Sequence, residues 1–145
     1  MHETTDLQVT DGMDLALCCF NPKTMTLQFA GAQRPLLLLQ NNEIPTFKGT
    51  RHSIGMPGKG NQCFMNHDIA VKKGDLVYLF SDGFPDQFGG AEGKKYLMEG
   101  FTDLLLNIHT LPMDEQKDKL DATLREWMGT LDQVDDILVM GIRIW

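Results

Sequence analysis

Tyr78-Leu-Phe-Ser-Asp-Gly-Phe-Pro-Asp-Gln-Phe-Gly-Gly90 and Gln133-Val-Asp-Asp-Ile-Leu-Val-Met-Gly141 share one plan. Each sets aspartate at one end of an apolar, strand-like run: Asp82 follows the first run, and Asp135 and Asp136 precede the second. Carboxylates at strand ends can meet at one point while the strands hold their backbones rigid. That suits a hard divalent cation, which takes oxygen ligands. Residue chemistry leaves a second reading open at each place. Asp82 stands where a buried strand turns sharply at Gly83, and an aspartate there can instead cap the turn. Asp135 and Asp136 repel each other beside a low-dielectric strand; a cation offsets that cost, and so does a solvated turn.

Upstream, the period is that of strands. Met13 to Phe20 and Met25 to Ala30 predict a hairpin around Asn21-Pro22-Lys23-Thr24, with Met25, Leu27 and Phe29 alternating with Thr26 and Gln28. Leu36 to Gln40 and Glu43 to Lys48 flank Asn41-Asn42, a two-residue turn whose side chains tolerate positive φ. A loop with Gly49, Gly55, Gly58 and Gly60 leads to a strand over Gln62 to Val71. Lys72-Lys73-Gly74-Asp75 then turns the chain into Leu76 to Phe80. Consecutive hairpins predict a mainly antiparallel sheet.

Beyond Gly93 the spacing of Leu97, Phe101, Leu104, Leu105 and Ile108 is helical. A second helix begins at Pro112 and ends at Gly129. Met113, Leu120, Leu124, Trp127 and Met128 form its apolar stripe, and Glu115/Lys119 and Asp121/Arg125 are its i,i+4 pairs. Ile137 to Ile144 is almost continuously apolar, which predicts a central strand covered on both sides. The class is α+β, a sheet packed against helices.

At 145 residues the chain is one domain, long enough to bury roughly 70% of its unfolded surface. Thirteen Lys and Arg against 20 Asp and Glu give a net charge of −7, which argues against a nucleic-acid or anionic-membrane surface. The basic doublets Lys72-Lys73 and Lys94-Lys95 read as turn or cap positions. No apolar stretch reaches the roughly 18 residues of a membrane span, and Met1-His-Glu-Thr-Thr-Asp6 lacks the regions of a signal peptide. Cys18, Cys19 and Cys63, without Cys-x-x-Cys spacing, read as small buried side chains in a reducing, cytoplasmic compartment. Histidines at 2, 52, 67 and 109 form no close zinc-type pair.

Six segments add a resemblance. They are Asp11-Gly-Met-Asp-Leu-Ala-Leu17, Phe29-Ala-Gly-Ala-Gln-Arg-Pro-Leu36, His52-Ser-Ile-Gly-Met56, Lys73-Gly-Asp-Leu-Val-Tyr-Leu-Phe-Ser-Asp-Gly83, Asp86-Gln-Phe-Gly-Gly90 and Gln133-Val-Asp-Asp-Ile-Leu-Val-Met-Gly-Ile-Arg143. Their order and spacing resemble the C-terminal part of a SpoIIE-type domain, the bacterial branch of the protein phosphatase 2C-like (PPM) metal-dependent serine/threonine phosphatases. The resemblance implies a mainly antiparallel β-sandwich flanked by helices. It implies two manganese or magnesium ions bridged by a water or hydroxide that attacks phosphorus directly. Asp82 and Asp135 would be metal ligands, with Asp14, Gly83 and Asp136 as their neighbours and no further catalytic side chain. The implied substrate is a phosphorylated regulatory protein of the anti-sigma factor antagonist type, in a signalling or stress-response pathway.

Two departures shape the expectation. Where the family has histidine in an Ala-Gly-His-Asn-Pro-Pro-like segment, this chain has Ala32, leaving Gln33 or Arg34 to supply a polar contact. The family's first metal motif, an aspartate followed by Gly-His-Gly, belongs upstream of the matched region, and Asp14 does not match it. Residues 1–145 are therefore expected to be the C-terminal portion of one phosphatase domain, incomplete at its N-terminal side and inactive alone. Sensor domains of the same parent chain would precede it. The competing reading is a noncatalytic interaction module that self-associates, as a homodimer, through exposed sheet edges.

Overall fold

The computed structural model describes residues 11–55 and 63–145. The predicted strand start at Gln62 and the glycines at 58 and 60 lie outside the described residues. In chain order the strands are β1 (Leu15–Asn21), β2 (Thr26–Ala32), β3 (Leu36–Leu39), β4 (Thr46–Phe47), β5 (Asn66–Ala70) and β6 (Leu76–Phe80). Then follow a short helix α1 (Gly83–Asp86), β7 (Phe88–Gly89), β8 (Lys94–Lys95), α2 (Leu97–Ile108), α3 (Met113–Met128) and β9 (Val139–Arg143). One sheet runs β1-β2-β5 and a second β4-β3-β6-β9, all pairs antiparallel, with β7-β8 a separate ribbon.

The predicted first hairpin forms, with Asn21 opposite Thr26, and its alternation is real: Leu27 and Phe29 are buried while Gln28 faces solvent. Asn41 and Asn42 both take positive φ, 54° and 62°, between the mutually bonded Gln40 and Glu43. That two-residue geometry matches strand twist, so the short arm Thr46–Phe47 falls into register on β3. Lys72 to Asp75, by contrast, is no hairpin. β5 pairs with β2 and β6 with β3, so this turn carries the chain from one sheet to the other. Asp75 holds the corner by accepting from the Lys72 N–H at 2.7 Å and from the Gln40 amide at 2.5 Å.

The four consecutive leucines of β3 are all buried. Leu36 and Leu38 join Leu27, Phe29, Ile69 and Val77 between the two sheets. Leu37 and Leu39 point the other way, joining Tyr78, Phe80, Phe101 and Leu105 under the helices. A strand covered on both faces has no polar side to show, hence the unbroken run. Each such leucine contributes about 1.5–3 kcal/mol of burial. The layers are thus sheet, sheet, helices.

The doubly covered central strands are β3 and β6, and the prediction that placed the last apolar run there is corrected. β9 has β6 on one side only, at the border of its sheet, and Leu138 and Met140 are 58% and 48% exposed. Its apolar run fits a strand meant to be covered, while the described residues supply one neighbour. Among the described residues β1 is a border strand likewise, with Leu17 62% exposed.

Both helices appear as predicted, the second entered from Pro112 and closed at Gly129 with φ 55°. Asp121 and Arg125 pair at 2.8 Å; Glu115 and Lys119 do not. The most buried residue of α3 is polar. Gln116 accepts from the Tyr78 hydroxyl at 2.7 Å and donates to the carbonyls of His109 and Leu111, which Arg143 also binds. Burial pushes the Tyr78 hydroxyl up to about 12, against the opposing field of Arg143.

Two smaller expectations are corrected. Lys94 and Lys95 form β8 rather than a cap, with Lys95 reaching Asp86 at 3.1 Å. The cysteines are free but not all buried: Cys18 is half-buried, with burial pushing its thiol up to about 11, and Cys19 and Cys63 are exposed. A border strand leaves one face of its side chains in water, which is where Cys19 points.

Candidate functional site

The two aspartate-bearing segments do meet, through their backbones. The Ser81 hydroxyl, just past β6, donates to the Asp136 carbonyl at 2.7 Å and accepts from the Leu138 N–H at 2.9 Å. The Ser81 N–H donates to the Leu138 carbonyl at 3.0 Å. Gly83 is packed so closely on the same turn that a methyl there would stand 2.4 Å from the Asp136 oxygen. Glycine is therefore required at 83 by close approach rather than by a left-handed backbone, since its φ is not positive.

Gln87 fixes the far side of that turn. Fully buried, it donates to the Asp132 carbonyl at 2.9 Å, and its backbone carbonyl accepts from the Trp127 indole at 3.0 Å. The Asp86-Gln-Phe-Gly-Gly90 segment thus positions the approach to Asp135. Sequence reasoning did not assign Gln87 or Ser81 any such role, because a bond spanning more than forty residues leaves no period to read.

The carboxylates themselves go separate ways. Asp82 occupies the N-cap position of α1 yet makes no side-chain cap bond. Its Oδ2 instead lies 2.8 Å from Arg34 Nη1, and Arg34 Nη2 lies 3.2 Å from Asp14 Oδ2. Asp14 Oδ1 accepts from the Ser53 hydroxyl at 2.5 Å. Ser53 is delivered by the mutual Met13–Ile54 backbone pair. Asp135 is exposed and folds its Oδ1 onto the Asp136 N–H at 2.7 Å, the arrangement of a solvated turn. Asp136 is exposed too, and engages the site through its carbonyl.

Arg34 is placed by a constrained loop. Gln33 has φ 63°, and the Arg34 N–H closes back on the Ala32 carbonyl at 2.7 Å. The Arg34 carbonyl fills the space that side chains would need at Gly31 and Gly49. A left-handed non-glycine residue costs on the order of 1–3 kcal/mol and persists only where its surroundings enforce it. Here the parallel exchange between Gly31, Gln33 and Thr50 does so. The guanidinium borders a cleft of about 270 Å³ walled by Leu15, Phe80, Leu138 and Met140.

Oxygen donors of this kind suit manganese or magnesium in type but not in number. Among the described residues no three His, Cys, Asp or Glu side chains group as a metal site requires. No helix among them is long and apolar enough to cross a membrane.

An antiparallel two-sheet sandwich with helices on one face, and an Ser-Asp-Gly turn locked to an Asp-Asp turn, define the phosphatase 2C-like class of fold. The chain belongs to the family described as Stage II sporulation protein E (SpoIIE), whose model matches residues 2–145. Among solved structures it is similar to the SiaA-PP2C domain of Pseudomonas aeruginosa, at 32% identity and a TM-score of 0.81 over 90% of this chain and 51% of that one. The phosphatase domain of SpoIIE from Bacillus subtilis matches at 17% identity and TM-score 0.63, covering 90% of this chain and 56% of that one. The RsbU and RsbW domains of Rv1364c from Mycobacterium tuberculosis match at 18% and 0.68, covering 94% and 37%. The chain spans about half the length of the first two structures it matches. Comparison with curated proteins returned no match.

Proposed function

We propose that this chain is the C-terminal portion of a metal-dependent protein serine/threonine phosphatase domain, and that it is inactive alone. The observation that carries the reading is the lock between the Ser81-Asp82-Gly83 and Asp135-Asp136 turns, which joins the two aspartate-bearing segments through their backbones. Asp82 and Asp135 are the residues proposed to hold manganese or magnesium. Further ligands would come from the part of the matched domains that this chain does not span. Asp14, Gly83 and Asp136 keep supporting places around them. The proposed substrate is a phosphorylated regulatory protein of the anti-sigma factor antagonist type, in a bacterial cytoplasmic signalling pathway, with sensor domains upstream.

The test is hydrolysis of para-nitrophenyl phosphate by a protein extended upstream of Met1. Turnover should require manganese and vanish with Asp82→Asn; manganese-independent turnover would sink the metal assignment. The second reading, a noncatalytic module that self-associates, is favoured by one observation. Both sheets end in border strands, β1 and β9, that expose Leu17 and Met140.

A further inference from the structure

We propose that the groove between the β4 arm and the head of α2 docks an acidic segment of a protein partner. The proposal rests on the phosphatase reading only in taking that partner to be the phosphorylated substrate; the docking itself stands apart from it. The groove holds about 690 Å³ and is lined by Gln33, Pro35, Thr46, Lys48, Arg51 and Met98 around Gly49. Lys48 and Arg51 are exposed, and neither enters an ion pair among the described residues. Among those residues no Asp or Glu side chain lines the groove. The chain as a whole carries a net charge of −7, so two uncompensated cations in one concave place run against its general sign. An acidic segment, repelled by the chain at long range, meets complementary charge here.

Both cations stand on backbone that the fold fixes. The Lys48 carbonyl pairs with the His67 ring at 3.0 Å. Gly49 packs on the Arg34 carbonyl, where a methyl would stand 2.5 Å away, and Thr50 exchanges backbone bonds with Gly31 and Gln33 at 2.7 and 2.8 Å. Cations held in this way lose only side-chain freedom when a ligand arrives, which lowers the cost of binding. Pro35 and the 37% exposed Met98 add apolar contact, and the Gln33 amide and Thr46 hydroxyl can hydrogen-bond a peptide. The loop that walls the groove also serves the candidate site. Gln33 and Pro35 line the groove, while Arg34 between them lines the cleft it shares with Asp14 and Ser81. A docked segment therefore runs beside the loop whose guanidinium pairs with Asp82.

The probe is a fluorescein-labelled glutamate-rich peptide, titrated with this chain and followed by anisotropy, beside a glutamine-rich peptide of equal length. The glutamate-rich peptide should bind saturably and weaken as salt rises, and the glutamine-rich one should not bind. Lys48→Glu/Arg51→Glu should weaken binding by about tenfold or more. Lys72→Glu/Lys73→Glu makes the same change of charge at an exposed doublet outside the groove, and should weaken it by less than about twofold. Thermal melts show that each variant is folded, and Lys48→Gln/Arg51→Gln, which should lose binding severalfold, replaces the charge reversal if that variant is not. Absence of saturable binding to the parent chain overturns the proposal, as does equal loss in the two doublets. An oligothymidylate of equal charge that binds as tightly also overturns it, because it marks a surface for polyanions in general. The titration needs neither metal nor turnover. Its failure leaves the phosphatase reading to the hydrolysis assay of the upstream-extended protein, and failure of that assay leaves the docking result intact.

Discussion

Gly83→Ala should break the junction that carries both aspartate turns. A methyl at 83 would stand 2.4 Å from the Asp136 oxygen and 2.9 Å from its carbon and from Ile137 Cγ1. Comfortable C···O separation is about 3.3 Å, so the Asp136 backbone must retreat by about 1 Å. The Ser81–Asp136 hydrogen bond, 2.7 Å long, would then exceed the range in which such bonds hold. Overpacking costs about 1–3 kcal/mol and the lost bond about 1, while the stiffer unfolded chain returns about 0.5–1. The net is a loss of about 1–3.5 kcal/mol. With a urea slope of about 2 kcal/mol per molar, the unfolding midpoint should fall by roughly 1 M. Gly93→Ala is the comparison, because a methyl there meets nothing and only its φ of 59° opposes it. Ser81→Ala acts on the same contact, so the Gly83→Ala/Ser81→Ala pair should cost less than the sum of the single changes. A Gly83→Ala midpoint no lower than that of Gly93→Ala would refute the close-approach argument.

Tyr78→Phe should cost about 1–3 kcal/mol by leaving the buried Gln116 oxygen unpaired. It should also flatten the alkaline limb of stability. The folded hydroxyl sits near 12, raised from 10 by burial, so its contribution is complete below about pH 10 and lost as pH rises toward 12. Urea midpoints followed from about pH 9 upward check this, and parallel profiles for parent and variant would contradict it. Gln87→Leu should remove the bond to Asp132 and speed hydrogen exchange at the Val134 and Asp136 amides, with global stability falling by about 1–3 kcal/mol. Unchanged exchange at those amides would show that Gln87 does not hold the turn. Leu17→Lys and Met140→Lys, on exposed border-strand positions, should lower any self-association seen by sedimentation and leave the melting temperature nearly unchanged. Persistent dimers in both variants would exclude β1 and β9 as the contact.

Local signals carried much of the fold. The β1–β2 hairpin, the Asn41-Asn42 turn and both long helices were legible because each rests on neighbours within a few residues. Pairing across the molecule was not. A turn such as Lys72 to Asp75 reads alike whether its strands pair or part, and only the buried Asp75 carboxylate, tied to Gln40, marks a corner. The run Ile137 to Ile144 correctly shows an apolar strand but says nothing of how many neighbours flank it. In the site, Asp82 and Asp135 stood out as strand-end acids. Arg34 and Ser53 lay inside segments that carry the family resemblance, Arg34 also near a departure from its pattern, but neither was assigned a contact with the acids. Charge complementarity between residues 14, 34 and 82 has no spacing that a linear reading can weigh.

The close backbone contacts and the carboxylates divide by task, and the division bears on what family membership says about activity. Gly31 and Gly49 let the Arg34 loop close, Ser81 and Gly83 clasp Asp136, and Gln87 and Gly89 dock on the Asp132 and Trp127 backbones. These contacts build the frame. The carboxylates that would carry chemistry are few, and each already has a partner: Asp82 has Arg34, and Asp135 has the Asp136 N–H. A glycine needed for close approach is needed whether or not a cation follows. Frame and chemistry therefore answer to different substitutions. Gly83→Ala and Gln87→Leu perturb the frame and are read as stability, whereas Asp82→Asn spares the frame and removes the Arg34 partner, so it is read in manganese binding and hydrolysis. A protein that tolerates Asp82→Asn in every such assay but fails to fold with Gly83→Ala would be a scaffold, and the opposite result would make it part of a catalyst.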